Sequence, residues 1–148
     1  MANTRVLNTS VKTYNSYNVI ITINGQIVSG VADDSFVTIE PKSDGVSSKT
    51  GCDGEVARAI DPNHQYQVRL VLLQTSSFNS KLQSYYNEDR MQGTGVFSIQ
   101  VKDLAGNLEF FANQAWVMRQ PSIVRGKDTN NLEWMIETGA ISDSNIAL

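Results

Sequence analysis

The sequence predicts a mainly β protein, an antiparallel β-sandwich or barrel with one flanking α-helix at about residues 77–90. Three observations carry this. Short runs of alternating apolar and polar residues recur along the chain, divided by Gly, Asn, Asp and Pro turns. An Asn24-Gly25 pair stands between two such runs. Only the segment from Phe78 to Tyr86 shifts to helical spacing.

At 148 residues the chain suits one domain. Residues 1–16 are polar, with Val6, Leu7 and Val11 as apolar anchors, and read as an N-terminal arm. The domain proper is expected over 17–140. A short C-terminal tail, 141–148, completes the chain. Either end is expected to order only against a neighbour.

Tyr17 to Ile23 alternates, and Gln26 to Ser29 returns after Asn24-Gly25. Asn-Gly is the strongest short hairpin signal, because a type I′ turn needs positive φ at both central positions. In that register Ile21 faces Val28 and Thr22 faces Ile27. Phe36 to Glu40 reads as a strand closed by Pro41. Lys42 to Gly54 reads as a long irregular loop with few apolar residues, and a loop of that length usually has a function. Glu55 to Ile60 reads as a strand, and Asp61 to His64 as a turn.

Gln65 to Gln74 is the most β-like segment, with Tyr66, Val68, Leu70 and Leu72 on one face. Apolar residues on both faces near its end suggest a central strand covered on both sides. Phe78, Leu82, Tyr85 and Tyr86 then share one helical face, with Ser76 or Ser77 as N-cap and Gly93 beyond the end. Strands are expected at Val96–Val101, Leu108–Ala112, Ala115–Met118 and Leu132–Thr138, with a turn at Asp103–Asn107.

Composition narrows the function. There is one Cys and one His, so an internal disulfide and any two-His metal motif are excluded. Charged residues make up 18% and the net charge is −3. Such a surface lacks the clustered Lys and Arg that phosphate neutralisation requires. It also repels its own copies only weakly. Asn, Gln, Ser and Thr together supply 47 of the 148 residues. The absence of a signal-like or membrane-length apolar run suggests folding in a reducing cytoplasm, with no membrane anchor.

Sites of chemistry are scarce. Cys52 with His64 as base has no supporting context and reads as an incidental loop thiol. Asp33-Asp34, and Asp53 with Glu55, lack calcium-loop spacing and read as solvated acids. Gly51 to Gly54 is not followed by Lys-Ser/Thr, so it is no phosphate loop. Trp116 and Trp134 fall on expected strands. They fit the core or a subunit contact, and alternatively a sugar-binding platform. No cofactor is implied and the chain reads as a non-enzyme. A binding module and a self-assembling structural subunit remain, and the lightly charged surface, the polar ends and the long loop favour assembly.

Several segments also resemble a known family. They are Lys49-Thr50-Gly51-Cys52-Asp53-Gly54-Glu55-Val56-Ala57-Arg58, Leu72-Leu73-Gln74-Thr75-Ser76 followed by Asn79 and Leu82, Val101-Lys102-Asp103 with Gly106, Ala115-Trp116-Val117, and Glu133 to Gly139. In this order and spacing, over about 17–140, they resemble the tail tube proteins of contractile-tailed bacteriophages. Cys52 departs from the small residue usual in that pattern.

The resemblance implies a sandwich or barrel subunit forming hexameric rings. These would stack into a hollow tube inside a contractile sheath and conduct DNA without binding it specifically. Implied partners are further copies of the chain, the sheath, the baseplate tube initiator and the tape measure protein. The virion tail is the implied location, after assembly in the host cytoplasm. A tube subunit of a non-viral contractile injection particle and a monomeric carbohydrate-binding sandwich are the alternatives. Candidate inter-subunit contacts are Lys49, Asp53, Glu55, Arg58, Trp116 and Trp134.

Overall fold

The structure is a computed structural model that describes residues 5–148. Residues 1–4 of the expected arm lie outside it. Residues 5–15 are exposed and carry no regular structure, and a 3-10 turn at Ser16–Asn18 leads into the first strand.

Among the described residues, ten strands and one α-helix follow. They are β1 (Val19–Ile23), β2 (Gln26–Ile27), β3 (Val37–Pro41), β4 (Val46–Thr50), β5 (Val56–Ile60), β6 (Tyr66–Leu73), α1 (Phe78–Gln92), β7 (Phe97–Asp103), β8 (Glu109–Arg119), β9 (Asn131–Thr138) and β10 (Ile146–Ala147). All strand pairings are antiparallel. The main sheet runs β2-β1-β7-β8-β9-β6-β3, with β10 added on β8, and β4-β5 forms a separate two-stranded sheet.

The mainly β architecture with one flanking helix is the one the sequence predicts. The Asn24-Gly25 hairpin forms in the expected register, Thr22 opposite Ile27, with φ of 51° and 81° at the turn. The helix presents Phe78 and Leu82 to the core, with Tyr85 and Tyr86 half-buried beside them. Gly93 ends it in the left-handed region at φ 71°, donating its amide to the Asp89 carbonyl.

Four expectations are corrected. First, Lys42 to Gly54 is not an irregular loop. Its middle, Val46–Thr50, is strand β4, which pairs with β5 from Val46–Ile60 to Thr50–Val56. Every residue of both strands is exposed, so no apolar alternation marks them. Second, β6 is central, between β9 and β3, but only one of its faces is fully buried. Val68, Leu70 and Leu72 are buried, while Arg69 on the other face is exposed and paired with Glu133.

Third, Leu108–Ala112 and Ala115–Met118 belong to one strand. In β8 the buried residues run Phe110, Ala112, then Ala115, Val117. The register against β7 slips between Ile99–Ala112 and Phe97–Ala115. Asn113 and Gln114 are thus the bulge that shifts the inward parity and bends the strand. β7 pairs with β8 on both sides of the bulge, while the opposite edge of β8 pairs with β10 before it and with β9 after it. Fourth, the tail is not free. Ile141 is buried in the core, and Ile146 pairs with Phe110.

One core serves the whole sheet. Inward residues of β1, β7, β8, β9 and β6 join Phe78 and Leu82 of α1 in a single cluster. The sheet is curled around it, so that β1, next to the end strand β2, and the opposite end strand β3 both border one groove.

Candidate assembly surfaces

The β4-β5 hairpin is the most exposed regular element. It leaves the body where the Lys42 amide bonds the Gln65 carbonyl and the Asp61 amide bonds the Gly45 carbonyl. Its tip is a tight turn, with the Gly51 amide donating to the Glu55 carbonyl at 2.8 Å and the Glu55 amide to Asp53 Oδ1 at 3.0 Å. Five-residue strands are roughly 17 Å long. Cross-strand pairing puts Val46, Ile60 and Val56 on one face together with Ser48, Thr50 and Arg58, and Lys49 and Ser47 with Ala57 and Ala59 on the other. Val46, Val56 and Ile60 are 54%, 59% and 75% exposed. An isolated two-stranded hairpin is marginally stable at best in water.

Of the six candidate contacts, four lie on this hairpin, but not in one patch. Lys49 and Arg58 are on opposite faces, and Asp53 and Glu55 are at the tip. Trp116 is half-buried on the main sheet face opposite the core, across from Glu137. Trp134 does not lie on a contact surface. At 1% exposure it is part of the core, and its Nε1 donates to Asn79 Oδ1 at 3.0 Å. Its strand position alternates with exposed Glu133 and half-buried Met135, which makes the ring an inward residue. The two tryptophans therefore point to opposite sides of the sheet and form no shared platform for a sugar ring.

Apart from residues 49–58 on the hairpin, the resemblance motifs supply parts of the framework. Asn79 Nδ2 donates to the Leu73 and Ser76 carbonyls at 2.9 and 3.1 Å, fixing the end of β6 to the start of α1. Ser76 Oγ donates to the Ser29 carbonyl at 2.6 Å. The Asn130 amide donates to Gln74 Oε1 at 3.3 Å. In β9, Glu133 pairs with Arg69 at 2.8 Å, and Glu137 with Lys42. Buried Thr138 accepts from the Tyr66 amide through Oγ1 at 3.1 Å.

The residues suspected of chemistry are dispersed. Cys52 is exposed at the hairpin tip, whereas His64 lies beyond its base, beside Gly45, Val46 and Ile60. The strand length between tip and base keeps thiol and imidazole apart. Among the described residues no group of three or more His, Cys, Asp and Glu is arranged to hold a metal ion. No described helix is long and apolar enough to cross a membrane.

Residues 11–145 match the family of the bacteriophage PhiTE tail tube protein. The chain belongs to that family. It is also 27% identical over 132 residues to structural protein ORF10 of Pseudomonas phage KPP10, an alignment covering 84% of this chain and 76% of the relative. Two solved structures share the fold. The tube-terminating cap of the anti-feeding prophage aligns with TM-score 0.60 at 9% identity, covering 90% of this chain and 92% of its own. The sheath/tube terminator of the extracellular contractile injection system PVC, in its extended state, aligns with TM-score 0.56 at 12% identity, covering 86% and 94%. A tube-related structural role in the phage virion follows from family membership.

Two surface features were beyond sequence reasoning. Gln120–Asn130 is a long exposed connection from β8 to β9, carrying Ile123 and Val124 outward. The groove between β1 and β3 joins residues far apart in the chain, and no local pattern announces it.

Proposed function

We propose that the chain is a non-catalytic subunit of the inner tail tube of a contractile-tailed phage. It forms hexameric rings that stack into the hollow conduit for DNA ejection. The observation that carries this reading is the β4-β5 hairpin, an ordered projection whose Val46, Val56 and Ile60 are left exposed by the described residues. It reaches the adjacent ring, where Val46, Val56 and Ile60 become buried. Stacking of this kind is heterologous and does not close, so it yields a filament.

Lateral contacts close each ring, using the open strand edges of the curled sheet and leaving fewer edges free. Lys49, Asp53, Glu55 and Arg58 serve as charged contacts around the hairpin, and Trp116 as a contact on the sheet face. The sheath surrounds the tube, the baseplate initiator starts it, and the tape measure protein occupies it during assembly in the host cytoplasm. A net charge of −3 suits a wall past which DNA slides, since a basic lumen would hold phosphate.

A second reading is supported by the fold likeness to terminators of two contractile injection particles. The same subunit then builds a tube that carries no genome. Nucleic-acid content of isolated particles separates the two.

Negative-stain microscopy of the purified protein tests the proposal. Rings or tubes of uniform diameter are expected. A persistent monomer at high concentration overturns it.

A further inference from the structure

The groove between β1 and β3 has a volume of about 690 Å³. Its floor is apolar, formed by Val19, Val31, Phe36, Val37 and Leu108, all half-buried against the core. Its rim is acidic, with Asp33, Asp34 and Asp103, and among the described residues no Lys or Arg lines it. Asp103 Oδ1 already accepts from the Ala105 and Gly106 amides. Exposed Asp33 and Asp34 are the carboxylates left to receive a cation.

The chain carries a segment of complementary character. Residues 5–12 hold two basic residues, Arg5 and Lys12, and no acidic one. Val6, Leu7 and Val11 within it are 87%, 80% and 90% exposed. The segment ends next to the groove, since Tyr14 and Tyr17, just after it in the chain, line it. It nevertheless leaves its own groove open, because residues 12–15 lie instead against the Asp103–Gly106 turn.

We propose that Arg5–Lys12 of one subunit seats in the β1-β3 groove of a second copy. Val6, Leu7 and Val11 cover the apolar floor, and Arg5 and Lys12 meet Asp33 and Asp34. Burial of the three apolar side chains supplies the affinity, and the rim charges set direction and register. Segment and groove are different surfaces of one chain, so a contact passed from copy to copy closes a ring or extends a filament according to the rotation between copies. This deepens the tube reading and rests on it.

The test uses two full-length chains of different mass, both carrying Cys52→Ser. One has Leu7→Cys and the other Asp34→Cys. They are co-assembled and oxidised, and a cross-link between the unlike chains is the expected product. Intrachain bonding is impossible in this design. Assembled particles without that cross-link overturn the inference and leave the tube reading standing. A parent chain that forms no rings or tubes overturns the tube reading itself.

A charge swap is independent of cysteine geometry. Asp33→Lys with Asp34→Lys is expected to lower the pelletable tube fraction at least tenfold, and adding Arg5→Glu with Lys12→Glu to restore it. All four residues are exposed, so the fold is preserved. Undiminished assembly by the reversed pair alone counts against the proposal.

Discussion

Trp134 donates its indole Nε1 proton to Asn79 Oδ1 at 3.0 Å, joining the centre of β9 to the first turn of α1. The same Asn79 amide nitrogen is bonded to the end of β6. One side chain thus connects two strands and the helix. Replacing Trp134 by Phe keeps most of the buried area but leaves Asn79 Oδ1 without its donor, at a cost of about 1–3 kcal/mol. Trp134→Ala adds a cavity and is expected to cost about 3–5 kcal/mol. Urea unfolding of the unassembled subunit measures both, and equal losses for Phe and Ala would contradict this division.

Gly95 lies where the chain turns back beneath the helix end. A Cβ there would stand 2.2 Å from the Tyr85 carbonyl oxygen and 2.8 Å from the Asp89 amide nitrogen. Both are backbone atoms and cannot swing aside. Gly95→Ala is expected to destabilise by about 1–3 kcal/mol. The melting temperature should fall by roughly 2–4 °C per kcal/mol for a chain of this size. An unchanged melting curve would show that the helix end shifts freely.

The hairpin should separate folding from assembly. Val46→Ser with Ile60→Ser removes apolar surface that the subunit does not bury. Stability is expected to change by no more than about 0.5 kcal/mol for each exposed site. Long tubes are expected to be lost. Calorimetry and electron microscopy of one preparation read both outcomes, and normal tubes would place the stacking contact elsewhere.

The Arg69–Glu133 pair is bonded through both Nε and Nη2 at 2.8 Å, yet its side chains are 52% and 46% exposed. Solvent screening limits such a pair to about 0.2–1 kcal/mol. A double-mutant cycle to Ala is expected to fall in that range and to shrink towards zero in 1 M salt. A coupling energy that ignored salt would indicate a pair shielded from water.

Much of the secondary structure was legible because burial writes a period into the sequence. β6, β9 and α1 each bury one face, and each shows the matching alternation or helical spacing. β4 buries neither face, so Ser47, Ser48 and Lys49 read as loop. The parity shift at Asn113–Gln114 split β8 in two, because a bulge breaks the period-2 pattern without breaking the strand. Trp134 illustrates a different limit. Strand position alone does not say which face meets the core until the neighbouring strands are in place.

By itself, the sequence determined that this chain is mainly β with one helix. It also marked the Asn24-Gly25 turn and, in the motifs from Lys49 to Gly139, carried its family. These are local facts, set by backbone preferences and by near neighbours in the chain. Only the tertiary structure decided that Trp134 is core while Trp116 faces outward. It alone showed that the presumed loop is a projecting hairpin, that the tail packs at home, and that Val19 and Val37 border one groove. Those depend on how far the sheet curls and where β8 bends, and that is set by packing between strands distant in sequence.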